Sequence, residues 1–276
     1  MLLTSFCPLS RRDFAASLVG AGIAELGSAR PAWGAEDPAR ALMTTAYEAT
    51  RFAAARFAAT LTHQPRPDVR EARVLAGATK LIEGGRGTAR LLRVSTPADM
   101  RGGATLTIER PGSGDDLWIF LPALRRVRRL VSSNRADPWV GSEFSLGDII
   151  GHKVGDWRHR TVAREALGSV RVIRVESFPV TARVASDTGY GKRTTWLREI
   201  DAATLRVDFH DQAGAPIKSL LAEDISVLDA SKGKLQPMRL TMRNLRSGGV
   251  STLAFSQFRI NAPVADSELA PEALQS

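Results

Sequence analysis

The stretch LWIFLPALRRVRRLV, Leu117–Val131, reads as a strand, a Pro-containing turn and a returning strand. In that reading Val127, Arg129 and Val131 share one face of the second strand, and Arg126, Arg128 and Leu130 share the other. A helical reading would instead line Leu124, Val127, Leu130 and Val131 along one side and leave Arg125, Arg126, Arg128 and Arg129 on the remainder. The strand pair fits the whole stretch better. The patch is apolar and cationic at once, which suits either of two roles. A basic edge discourages sheet-to-sheet pairing. The same charges also attract anionic head groups or an acidic partner, each Lys or Arg contributing about 1 kcal/mol near an anionic surface.

Working outward, the period of two continues on both sides. Residues 68–81, 88–96, 104–110, 117–122, 170–180, 193–201, 204–211, 216–229, 237–246 and 250–260 are short segments rich in β-branched or aromatic residues. GGRG, PGSGDD, DQAGAP, SKGKLQP and RSGG supply turn chemistry between them. About ten strands in an antiparallel meander predict a sandwich or barrel in one domain. Residues 132–160, SSNRADPWVGSEFSLGDIIGHKVGDWRHR, break the pattern. A stretch this long inside a β fold predicts a functional loop or short helices.

Ahead of the strands, EDPARALMTTAYEATRFAAARFAATLTHQP (36–65) starts with Asp37 as an N-cap and Pro38 at the first helical position. Leu42, Ala46, Ala49, Ala53, Phe57 and Leu61 recur at helical spacing. The segment therefore predicts one long amphipathic helix stopped by Pro65.

Residues 1–34 carry SRRDFA, with Arg11, Arg12 and Phe14, then a run of small and apolar residues to Ala24. This layout resembles a twin-arginine export signal, with cleavage expected after Gly34 or Ala35. Removal takes away Arg11, Arg12, Arg30, Asp13 and Glu25, so the formal charge goes from +9 to +8. It also removes Cys7, the single cysteine, and with it any disulfide or thiolate metal site. No later segment approaches the ~20 apolar residues that span a bilayer. The expectation is a basic, exported, soluble periplasmic domain over 35–276. Nucleic acid is not expected as a partner of an exported chain.

Catalytic signals are thin. His63, His152, His159 and His210 show no metal-ligand spacing. Gly112–Gly114 lacks the flanks of a nucleophile elbow, and Gly84–Thr88 and Gly189–Lys192 read as turns. No catalytic residue, metal or cofactor is expected.

Three motifs carry a family resemblance: GGATLTI (102–108), DDLWIFLPALRRVRRL (115–130) and VGSEFSLGDI (140–149). With the looser segments 196–225 and 237–255, the chain resembles the outer-membrane lipoprotein-sorting, LolA-like proteins over most of residues 40–261. Glu143 stands where that branch commonly has Asp. The resemblance implies an α+β fold, a strongly curved antiparallel half-barrel around a long N-terminal helix and a short helical or loop plug. It implies an acyl-binding cavity between them and a carrier that shelters a lipid or lipoprotein on its way to the outer membrane. An inner-membrane transporter or an outer-membrane acceptor would be its partners.

On that reading Trp118, Phe120, Leu121, Leu124 and Val127 are candidates for the cavity or its rim. Arg125, Arg126, Arg128 and Arg129 are candidates for head-group or partner contacts, and Trp139, Gly141, Phe144 and Asp148 for the plug. A regulatory or scaffold module of the same fold, binding a membrane protein through Ser132–Arg160, is the alternative. A twin-arginine-exported hydrolase or redox enzyme rests on the export signal alone.

Overall fold

Among the described residues, alternation of buried and exposed positions builds one antiparallel sheet of thirteen strands, with both ends of the meander meeting in its middle. The computed structural model describes residues 37–110 and 114–275. The predicted signal segment and the hairpin tip 111–113 lie outside the described residues.

β1 (Ala54–Arg66) lies in the centre. β2 (Val69–Ile82), β3 (Gly87–Thr96), β4 (Ala104–Glu109), β5 (Asp116–Leu121) and β6 (Arg126–Leu130) step outward from it to one edge. Residues 132–156 then cross to the opposite edge, β7 (Trp157–Leu167). From there β8 (Val170–Pro179), β9 (Lys192–Arg198), β10 (Thr204–His210), β11 (Pro216–Asp229), β12 (Lys234–Asn244) and β13 (Val250–Ile260) step back, and β13 pairs with β1.

β6 and β7 do not pair, so the sheet is open and curved. Register shifts at Arg56/Ala58, Thr161/Ala163 and Val227/Asp229 supply bends. A sheet this wide curls instead of staying flat.

Three expectations are corrected. The N-terminal helix is short: α1 covers Pro38–Ala49, with Asp37 accepting a 3.0 Å bond from Ala39 N–H. Residues 54–66, expected as its second half, form β1. Ala55, Phe57, Ala59, Leu61 and His63 are buried in alternation. A helical spacing of four is also twice the strand period, so Phe57 and Leu61 satisfied both templates, and pairing with β2 and β13 decided the outcome. The count rises to thirteen because β1 and β7 join the ten segments together with β6, the returning strand expected after the Pro-containing turn. β7 takes Trp157–Arg160 from the stretch expected as loop.

The face that carries the crossing segment is the inner face. Trp139, Phe144, Leu146, Ile149 and Ile150 of that segment pack there on Phe57, Leu61, Leu75, Leu92, Met242 and Leu253. α1 lies on the same face through Ala39 and Ala46, against Ile173, Val175 and Leu197. Its end reaches the other half of the sheet: Tyr47 Oη bonds Glu109, and Arg51 Nε donates to Thr88 Oγ1 at 3.1 Å. On the outer face, Val264, Leu269 and Leu274 of the C-terminal tail cover Ala78, Ala89, Leu106 and Ile108. Arg93 Nη2 donates to Ala273 O at 2.8 Å and Arg56 pairs with Glu268 at 2.6 Å, clamping the tail down.

Candidate functional site

The crossing segment owes its position to polar anchors around an apolar centre. Trp139, 2% exposed, donates from Nε1 to Thr105 Oγ1 at 3.1 Å. Glu143 N–H donates to Ser251 Oγ at 2.9 Å, and its carboxylate accepts from Asn244 Nδ2 at 2.8 Å. Arg135 pairs with Asp115 at 2.6 Å and donates to Gly151 O at 2.8 Å. Between Trp139 and Ser142 the backbone turns through left-handed residues, Val140 at φ 43° and Gly141 at φ 70°. Gly141 takes this conformation freely, whereas a β-branched residue there is strained by ~1–3 kcal/mol. The strained Val140 side chain packs against the core and borders the larger cavity described below.

α2 (Leu146–Ile150) is capped reciprocally: Asp148 N–H donates to Ser145 Oγ at 3.1 Å, and Ser145 N–H donates to Asp148 Oδ2 at 2.9 Å. Asp148 is buried, and it also accepts from Tyr190 Oη at 3.0 Å and lies 3.4 Å from His152 Nε2. Burial pushes its carboxyl up, but the His152 bond, the Lys218 ammonium and the Ser145 amide outweigh it and hold it below the ordinary value. His152 goes the other way: burial, reinforced by Arg193, lowers it to about 4. The imidazole is therefore neutral near pH 7, and the pair is a structural knot between plug and sheet.

The plug does not fill the inner face. A cavity of about 510 Å3 opens between it and β3–β6, lined by Leu75, Val94, Met100, Ile119, Leu121 and Leu130 among others. A second of about 310 Å3 opens towards β1 and β11–β13, lined by Phe57, Ile149, Leu240, Leu253, Phe255 and Phe258. Leu92 borders both. Sizes of ~300–1,000 Å3 with mostly apolar walls are those of small-molecule sites.

The candidate residues distribute over both faces. Leu121 borders the larger cavity. Phe120 borders it too, but packs with Trp118 and Val127 against the tail-covered outer cluster. Leu124 is 64% exposed in the turn, where Arg125 takes φ 46°. Arg126 and Arg128 project from the inner side of β6, and Arg128 borders the larger cavity. Arg129 lies on the outer side, paired with Asp116 and 5.6 Å from the Trp118 ring. Trp139 and Phe144 sit in the core, Gly141 in the turn, and Asp148 borders the smaller cavity.

Sequence reasoning missed the aromatic floor of the smaller cavity. Phe57 and Phe258 stack at 5.1 Å, and Phe255 meets Phe57 edge-on at 5.3 Å. Phe255 and Phe258 are three apart in one strand and should face opposite ways. Gln257, at φ 50°, breaks the alternation between them. It also missed Arg193, whose strand placement was read but whose burial was not legible.

An open antiparallel sheet with the crossing segment packed on its inner face is a fold shared with several solved structures. A domain named for outer membrane lipoprotein sorting, from Vibrio parahaemolyticus, superposes with TM-score 0.80 at 22% identity, covering 87% of this chain and 99% of its own. A DUF1329 family protein from Desulfovibrio piger gives 0.78 at 21%, over 86% and 99%. A LolA superfamily protein from Nitrosomonas europaea gives 0.67 at 20%, over 85% and 98%. These likenesses establish the fold. A family model described as "Uncharacterized protein" matches residues 86–276, and the chain belongs to that family. No curated protein matches it.

Proposed function

We propose that this chain is a periplasmic carrier that shelters the acyl chains of a lipid or lipoprotein in the hollow between sheet and plug. The observation that carries this reading is the apolar cavity of about 510 Å3 left open beside β5 and β6, with Arg128 at its border. Burying hydrocarbon there yields roughly 0.8 kcal/mol per CH2 with no catalytic step. The exposed Arg125, Arg126 and Arg128 would meet anionic head groups or an acidic acceptor. Cargo would come from an inner-membrane donor and leave to an outer-membrane acceptor. An export signal in residues 1–34 would bring the chain to that compartment.

The test is native mass spectrometry of protein recovered from the periplasm, together with uptake of a fluorescent acyl probe. Co-purified lipid and saturable uptake are expected. Leu92→Trp, which fills the wall common to both cavities, should cut probe capacity. A ligand-free protein that takes up no probe ends the carrier reading.

A further inference from the structure

A third cavity, of about 170 Å3, lies beneath α1, bounded by Tyr47, His152, His159, Arg193, Thr195 and Val207. Thr50 and Thr204 line both it and the apolar cavity of about 310 Å3, so the two adjoin. The adjoining chamber is walled mostly by Phe and Leu, with Arg90 and Asp148 at its border, and the one under α1 by a guanidinium, imidazoles and hydroxyls. That juxtaposition is shaped for an amphiphile.

Arg193 is the unusual member. It is 6% exposed and lies 4.3 Å from the Trp157 ring, yet its guanidinium forms no hydrogen bond with any described residue. Its Nε is buried without a partner. Asp148 and Asp156 favour its charge, but the Asp148 oxygens are occupied by Ser145, Tyr190 and His152. Burial lowers Arg193 to about 10, so it remains a cation at neutral pH. A buried cation with vacant donors is costly unless something supplies acceptors. His152 offers an acceptor and no donor here, so the attraction for an anion falls to Arg193 and the neighbouring hydroxyls. With Asp148 ionised, Nε2 carries the proton towards it, and the buried Nδ1, which has no partner, is an acceptor. His159 is not part of this: Ser177 Oγ at 2.8 Å and Val154 O at 3.1 Å occupy its two nitrogens.

We propose that the cavity under α1 binds the anionic oxygen head, carboxylate or phosphate, of an acyl ligand whose tail lies in the adjoining Phe-lined cavity, and that Arg193 selects for that charge. The inference rests on the carrier reading and deepens it: the ligand is an anionic amphiphile, not any hydrocarbon. Thr195 and Thr204 also line this cavity and supply hydroxyls to it.

The experiment displaces a bound fluorescent acyl probe from delipidated protein with oleate, oleyl alcohol or inorganic phosphate. Oleate should compete about tenfold more strongly than the alcohol, the equivalent of one charge-assisted hydrogen bond. Arg193→Gln should bring oleate down to the level of the alcohol, and Arg193→Lys should retain part of the preference. Equal competition by oleate and oleyl alcohol in the unmodified protein overturns the proposal while leaving the carrier reading intact, and it needs no variant to fold. Probe binding that oleate displaces about tenfold better in Arg193→Gln as well also overturns it. Displacement by inorganic phosphate as effective as by oleate assigns the site to a free anion and overturns the amphiphile. Failure of any acyl compound to bind removes the carrier reading and this inference together.

Discussion

Acidification should destabilise the protein well above the range where carboxylates titrate, through His152. The ring is packed against Trp157, Tyr190 and Phe209 at centroid distances of 5.8, 5.9 and 6.4 Å. Burial first, then Arg193 and Arg135, oppose its protonation and outweigh the Asp148 carboxylate beside it, so it falls from 6.5 to about 4. Between those values the unfolded chain binds a proton that the folded chain refuses. The contribution is therefore complete above about pH 6.5, declines as pH falls, and changes no further below about 4. At about 1.4 kcal/mol per pH unit, the loss is on the order of 3 kcal/mol, or about 6–12 °C in Tm for a domain of this size. His159 and His210 are lowered as well and act in the same direction. Asp148, held down, acts separately: its stabilisation is present above the unfolded value near 3.9 and is lost as pH falls through its lower folded value. Thermal unfolding followed by circular dichroism across this range checks the claim. His152→Gln keeps a donor for Asp148 but cannot titrate, so its stability deficit relative to the parent should shrink by about 3 kcal/mol from pH 7 to 4. Parallel curves for the two proteins would refute the reasoning.

Other consequences follow from packing. Trp139→Ala removes a buried anchor and strands the Thr105 hydroxyl, and should cost about 3–5 kcal/mol by urea unfolding. A change below about 1 kcal/mol would mean that the plug is not part of the cooperative core. Gly77→Val has no room, because a Cβ there would lie 2.2 Å from the Phe57 ring; displacing that ring should cost about 1–3 kcal/mol and alter probe binding in the smaller cavity. Deleting residues 263–276 uncovers Leu106, Ile108, Trp118 and Phe120, so dye binding to exposed apolar surface and light scattering should both rise. An unchanged, monomeric product would contradict the role assigned to the tail.

Most strands were legible because a half-buried strand writes its two faces into alternate residues. LWIF and RRVRRLV kept their strand, turn and strand identity, and residues 132–156 kept theirs as short helical turns. The first β-strand was not legible, since Phe57 and Leu61, four apart, fit helical and strand spacing alike and Ala favours helix locally. Pairing with β2 on one side and with the distant β13 on the other, as in Leu61 with Leu253, resolves that conflict.

Residue order alone determined the antiparallel meander, the apolar and basic stretch and the irregular segment that interrupts it, because turn chemistry and alternation act over a few residues; that the sheet stays open was decided by strand pairing. Which side of each strand faces the hollow was decided by tertiary structure. The greasy and cationic stretch divides accordingly: Leu121 and Arg128 border the cavity, while Trp118, Val127 and Arg129 lie on the outer face with the C-terminal tail cluster. Arg193 is the sharper case. A strand pattern can place it on a face, but only the convergence of α1, the crossing segment and β7–β10 buries it beside the cavity under α1 with its Nε unpartnered.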